Sequence, residues 1–93
     1  MRKSLVLDPD VQKRLRALPK EQCVDVVLTL LKLADAFGKP HEHSGLGIRK
    51  LRSDLFECRV GLSLRILFRA SEDGIILRFI GNHDEVRKYL RTI

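Results

Sequence analysis

The chain has 93 residues, a mass of 10.7 kDa, 44% hydrophobic and 32% charged residues; this describes one globular domain, residues 1–93, and excludes a separate cofactor domain, a disordered chain and a membrane-spanning helix. Eighteen Lys and Arg against twelve Asp and Glu leave a net charge of +6, which points to an acidic partner: nucleic acid, a membrane surface or an acidic protein. Trp is absent and aromatic residues are 5%, which argues against single-strand binding on stacking platforms.

Residues 3–7 are short and apolar and predict a first strand. Asp8-Pro9 then opens a helix, because Asp caps free N–H groups and Pro fits a first turn. Val11, Leu15 and Leu18 recur at helical spacing, with Lys13, Arg14 and Arg16 facing away. Pro19 breaks this helix. Residues 20–37 predict the clearest helix. Cys23, Val26, Val27, Leu30, Leu31, Ala34 and Phe37 form a wide apolar stripe between Gln22, Asp25, Thr29, Lys32 and Asp35, and the stripe is expected to be buried. Gly38 reads as a left-handed C-cap, with Pro40 beyond it. Residues 39–47 form a loop.

From residue 48 the period changes to two. Residues 48–52 are a short strand. Residues 56–60 alternate Phe56, Cys58 and Val60 against Glu57 and Arg59. Residues 64–70 set Leu64, Ile66 and Phe68 against Arg65, Leu67 and Arg69. Glu72-Asp73-Gly74 signals a hairpin turn. Residues 75–80 set Ile75, Leu77 and Phe79 against Ile76, Arg78 and Ile80. Asn82 followed by Glu85 resembles a capping box for a last helix, 83–91, that buries Val86, Tyr89, Leu90 and Ile93.

The order β-α-α-β-β-β-β-α predicts an α+β fold, a twisted antiparallel sheet with an N-terminal helical hairpin and a C-terminal helix. One sheet face should meet the helices and the other face water. The solvent face would gather Glu57, Arg59, Arg65, Arg69 and Arg78. Cys23 and Cys58 are too few for a disulfide framework or a zinc site and read as reduced core thiols. The N-terminus turns acidic at Asp8 before a secretory core can form, so a cytoplasmic location is expected. His41 and His43 alternate in a loop with one Glu between them, a poor metal site. Gly38, Gly45 and Gly47 read as backbone punctuation.

Several segments in series resemble the RelE/ParE superfamily of bacterial toxin–antitoxin toxins. Gly47-Ile48-Arg49-Lys50-Leu51-Arg52 resembles the family's "KLR" strand, and Leu55-Phe56-Glu57-Cys58-Arg59-Val60 its "GLYELR" strand. Leu64-Arg65-Ile66-Leu67-Phe68 resembles "YRIVY", and Gly81-Asn82-His83-Asp84-Glu85-Val86 the closing "GxHxxVY" region. The resemblance is strongest from 46 to 90. It implies a RelE-like fold and a messenger-RNA endonuclease that acts on translating ribosomes and uses no metal or other cofactor. It also implies a cognate antitoxin as partner in a hetero-oligomer, with messenger RNA and the ribosome as targets and no membrane.

The resemblance places the catalytic group at Arg65, His83, Glu57 and Arg59. A fixed guanidinium at Arg65 suits the charge that develops on phosphate oxygens. His83, in the first helical turn, suits a neutral base for a ribose 2′-OH. Glu57 matches a family base or orienting group; it equally suits a cross-strand ion pair. Arg49, Lys50, Arg52, Arg69, Arg78 and Arg87 are the candidate RNA contacts. Arg87 stands where the family pattern has Tyr after Val86, and Tyr89 reads as core or rim. Two other readings follow from the same resemblance: a ParE-like toxin that inhibits DNA gyrase without cutting RNA, and an inactive relative that only binds an antitoxin.

Overall fold

The structure is a computed structural model, and it describes residues 4–37, 46–72 and 74–93. The elements are β1 (Ser4–Leu7), α1 (Pro9–Ala17), α2 (Lys20–Ala36), β2 (Arg49–Arg52), β3 (Leu55–Val60), β4 (Leu64–Ala70), β5 (Gly74–Asn82) and α3 (His83–Leu90). The order matches the expected β-α-α-β-β-β-β-α. The predicted loop residues His41 and His43, together with Gly38, Pro40, Gly45 and Asp73, lie outside the described residues.

The sheet order is β1-β5-β4-β3-β2. Strands β2 to β5 form the antiparallel meander. β1 joins in parallel, with Leu5 opposite Ile75 and Leu7 opposite Leu77, so the sheet is mixed. Alternation within β1 encodes which face each side chain takes. It does not encode the direction of a partner strand about 70 residues away.

The hairpin α1–α2 covers one face. Val11, Val26, Leu30 and Leu33 pack there against Cys58, Val60, Leu64, Ile66, Phe68, Ile75, Leu77 and Ile80. Phe79 departs from the simple alternation. A bulge pairs Leu67 with Phe79 but Phe68 with Leu77, leaving Arg78 as the extra residue. Beyond it the faces exchange: Ile80 enters the hairpin core and Phe79 turns to the other side. This is what an inserted residue does to a period of two.

The second face is therefore not left wholly to water. α3 folds back over it, and Leu55, Leu67 and Val86 form a second buried cluster with Leu51, Phe79, Tyr89 and Leu90 against them. Asn82 and Glu85 close the expected capping box: Asn82 Oδ1 accepts from the Glu85 N–H at 2.8 Å, and the Asn82 N–H donates to Glu85 Oε1 at 2.9 Å. Those contacts, the Asn82 N–H first and Arg14 after it, hold the Glu85 carboxyl below its usual range.

Three further expectations are corrected. Asp8 precedes α1 without a side-chain cap bond; its carboxylate accepts from Arg78 Nη1 at 3.0 Å instead. Val27 and Leu31 of α2 are exposed rather than buried, because α2 packs through the narrower set Val26, Leu30 and Leu33. Cys23 is half-buried, whereas Cys58 has no exposed surface.

Burial pushes the Cys58 thiol up to about 12 from 9.0, with the Glu57 carboxylate adding to the shift. The folded state thus keeps a proton that the unfolded chain releases. The resulting stability is intact below about pH 9 and is lost as pH rises from there toward 12. At about pH 8, below the ordinary thiol range, a thiol reagent followed by mass spectrometry is expected to label Cys23 in the native protein and Cys58 only after unfolding. Equal labelling of both thiols would contradict the burial of Cys58.

Candidate functional site

The α3 side of β2, β3 and β4 carries the chemistry. Register places Arg49 opposite Glu57 and Arg59 opposite Arg65. Arg65 in turn lies opposite Gly81 on β5, and His83 opens α3 two residues later. Glu57, Arg59 and Arg65 therefore share one patch with the start of α3 beside it.

Glu57 anchors this patch. It is buried, and Arg65 Nη1 donates to its Oε1 at 2.7 Å. Arg49 Nη2 lies 3.6 Å from Oε2. The three side chains differ in exposure, at 5% for Glu57, 27% for Arg65 and 68% for Arg49. Alternation alone predicts an open face for Glu57, yet it is buried, with Leu67 as its cross-strand partner on β4. Its two oxygens fix a guanidinium on each side, so the Arg65 side chain is held in place while part of it meets solvent. The guanidinium groups of Arg49, Arg59 and Arg65 stand against the buried Glu57 carboxylate, so the patch is electropositive.

Arg59 is held differently. Its side chain lies over Gly47: a Cβ there would come within 2.6 Å of Arg59 Nε, and Gly47 has φ of +62°. The Arg59 N–H also donates to the Leu46 carbonyl at 3.0 Å. Gly47 is thus a seat for Arg59, a role that spacing alone does not reveal. Only a glycine accepts both the left-handed backbone and the close guanidinium.

The other candidate contacts are dispersed. Lys50 is exposed and pairs in register with Phe56, so it projects from the opposite face to Arg49. Arg52 donates to the carbonyls of Leu90 and Ile93, at 3.1 and 3.0 Å, and so caps the end of α3. Arg69 pairs with Asp54, and Arg78 with Asp8 at the β1 edge. Arg87 is exposed on α3. Tyr89 is half-buried and stacks on Phe79 at 4.5 Å, as a core or rim residue does.

Arg14 is the residue that sequence reading misses. Helical spacing predicts that it faces away from the core. Its Nε donates to the Ile80 carbonyl at 2.6 Å and its Nη2 to Glu85 Oε2 at 3.0 Å, and its guanidinium sits 4.3 Å from the Phe79 ring centroid. It ties α1 to the β5–α3 junction and so helps to set where His83 stands. No local pattern encodes a contact 66 residues away.

Gly81 makes that junction possible. A Cβ there would meet the Phe79 ring at 2.8 Å and Glu85 Cβ at 2.9 Å. Gly81→Ala is expected to cost about 1–3 kcal/mol through overpacking. In thermal unfolding that corresponds to a Tm drop of several degrees, at about 4–8 °C per kcal/mol for a domain of this size. An unchanged Tm would mean that α3 shifts freely.

Among the described residues no three His, Cys, Asp or Glu side chains cluster closely enough to hold a metal ion, and no helix is long and apolar enough to cross a membrane. No family model matches the sequence, and no curated protein matches it. Solved structures do. The archaeal RelE-RelB complex of Pyrococcus horikoshii OT3 aligns over 88% of this chain and 96% of its own, with a TM-score of 0.73 at 19% identity. The fold is that of the RelE-like toxins. The RelB-RelE antitoxin–toxin complex of Methanococcus jannaschii is similar over 90% of this chain and 96% of its own, at TM-score 0.70 and 19% identity. The YoeB-YefM complex of Staphylococcus aureus is similar over 89% and 99%, at 0.62 and 15%. In this chain the RelE-like fold carries the Arg65 patch on the sheet face where α3 begins.

Proposed function

We propose that this chain is the toxin of a type II toxin–antitoxin pair, and that it cleaves messenger RNA on translating ribosomes in the cytoplasm without a metal. The observation that carries this reading is the Arg49–Glu57–Arg65 array, with Arg59 across from Arg65, and with His83 two residues beyond Gly81, the β5 partner of Arg65. RNA carries its own nucleophile, the ribose 2′-OH, so cleavage needs a base and a charge stabiliser rather than a separate attacking group.

In the proposed step His83 takes the 2′-OH proton, and the 2′ oxygen attacks the adjacent phosphorus. The bond from phosphorus to the 5′ oxygen breaks. That oxygen leaves with a proton from water, and a cyclic phosphate remains. Arg65 stabilises the charge on the non-bridging oxygens. Glu57 is a positioning residue that acts through Arg65. Arg59 and Arg49 hold the flanking phosphates, and exposed Arg87 extends the electrostatic contact; Lys50, which projects from the opposite face, takes no part in it. Arg52, Arg69 and Arg78 would reach RNA only while sharing guanidinium groups already engaged by the protein. The antitoxin partner rests on likeness to complexes described as toxin–antitoxin pairs.

The test is primer extension on cellular messages after induction, beside Arg65→Ala and His83→Ala. New cuts within translated codons, lost in both variants, are expected. Growth arrest with intact messages would overturn the nuclease reading in favour of a bound target such as gyrase. Neither arrest nor cuts would leave an inactive antitoxin-binding relative.

A further inference from the structure

The turn between β3 and β4 puts one apolar side chain fully into solvent. Val60 and Leu64 close the hairpin as a cross-strand pair, and Gly61, Leu62 and Ser63 make the turn. Leu62 is 106% exposed, whereas the other exposed large apolar side chains among the described residues are 37–51% exposed. Gly61 turns the chain at φ of +61° with open space where a Cβ would stand, so the tip projects clear of the domain. The tip is uncharged. The first charged residue on either side of it is an arginine, Arg59 and Arg65, and these two pair across the strands one step below Val60 and Leu64. At a rise of about 3.3 Å per residue, Leu62 stands about 7–10 Å beyond them. β5 reaches the same end, since Leu64 lies opposite Asn82 and His83 follows.

Cleavage through a ribose 2′-OH requires the attacking oxygen, the phosphorus and the leaving oxygen to fall nearly in line. A stacked strand holds them bent, so the two nucleotides must first be splayed. Proteins do this by stacking a base on an aromatic ring or by driving an apolar wedge between two bases. The rings of this chain are already engaged. Phe37, Phe56 and Phe68 meet one another, Phe79 stacks on Tyr89, and Trp is absent. Leu62 suits the wedge. A lone aliphatic side chain between Gly61 and Ser63 is too little surface for a protein partner, which needs a contiguous apolar area. It does fill the gap between two bases, whose faces are flat and apolar, with Arg65 and Arg59 behind it for the scissile and flanking phosphates.

On the nuclease reading, we infer that Leu62 is the positioning residue that opens the scissile step: it inserts between the two nucleotides and holds them apart while Arg65 takes the phosphate. The hairpin tip is then part of the RNA-binding surface, although it carries no charge.

Two measurements test this on the full chain with programmed ribosomes. The first is the single-turnover rate of message cleavage. Leu62→Ala and Leu62→Ser should lower it about 10–100-fold, because the cost of unstacking a base step is no longer offset. Leu62→Met, which keeps a long apolar side chain, should restore it. Thermal melts of all three should match wild type, since the Leu62 side chain packs on nothing. The second uses a message with a fluorescent purine analogue beside the mapped cut and a deoxyribose at it, so that it binds uncut. Wild type should brighten the analogue by unstacking it, and Leu62→Ala should bind the same ribosomes without brightening. Cuts at the wild-type rate in Leu62→Ala, or equal brightening by both proteins, would overturn the wedge and leave the nuclease reading standing. So would a Leu62→Ala variant that cuts normally but loses a co-purifying antitoxin, which would give the tip to that partner. A wild type that makes no cuts would remove the nuclease reading and the wedge together.

Discussion

Arg65→Ala is expected to lower kcat for cleavage of a ribosome-bound message by about 10²–10³-fold, the range seen when one donor to a developing oxyanion is removed. KM should change by only a few-fold, because Arg49 and Arg59 still bind the flanking phosphates. Arg65→Lys should recover little of the loss. A point charge on a flexible stem cannot reproduce a planar guanidinium held at 2.7 Å by Glu57. Glu57→Gln separates positioning from chemistry. It keeps an acceptor for Arg65 but removes the charge, so kcat should fall about tenfold or less, between wild type and Arg65→Ala. Single-turnover rates on protein shown to be folded are the measurement. Equal kcat for wild type and Arg65→Ala would remove Arg65 from the reaction. A fall in Glu57→Gln as deep as in Arg65→Ala would make Glu57 the reacting group.

Much of this arrangement is legible in the sequence, because strand alternation is local. The pattern of Phe56, Cys58 and Val60 against Glu57 and Arg59 assigns each residue to a face, and the structure agrees for all of them. The Asn82–Glu85 box is legible for the same reason, since both bonds join residues three apart. What escapes is non-local. The bulge that exchanges Phe79 and Ile80 arises from pairing with β4, and nothing between residues 75 and 80 marks it. The burial of Glu57 beside Leu67, its partner on β4, is set by strand register and not by alternation. The direction of β1 and the clamp of Arg14 on Glu85 join residues about 70 positions apart. In the candidate site, residue types are readable, whereas the Gly47 seat and the two-sided hold of Glu57 require strand register. The exposure of Val27 and Leu31 on α2 escapes because apolar composition alone does not say which side of a helix packs on the core.

Phe68→Ala should produce the largest stability loss in the chain. Phe68 has no exposed surface. It stacks on Phe56 at 5.6 Å and meets Phe37 edge-on at 5.5 Å, and Phe37 meets Phe56 edge-on at 5.0 Å. Removing the central ring opens a cavity that three elements bound, at a cost of about 3–5 kcal/mol. A native domain has only about 5–15 kcal/mol in all. The urea midpoint should therefore fall steeply with the slope unchanged. Phe79→Ala supplies the contrast. Its ring is half-buried on the other face, between Arg14 and Tyr89, so its loss should cost less stability. It would, however, free the start of α3 and with it His83. Cleavage should then drop more in Phe79→Ala than in Phe68→Ala when both are assayed well below their Tm. The reverse order would mean that the placement of His83 does not depend on the Phe79 seat, and that the second cluster serves stability alone.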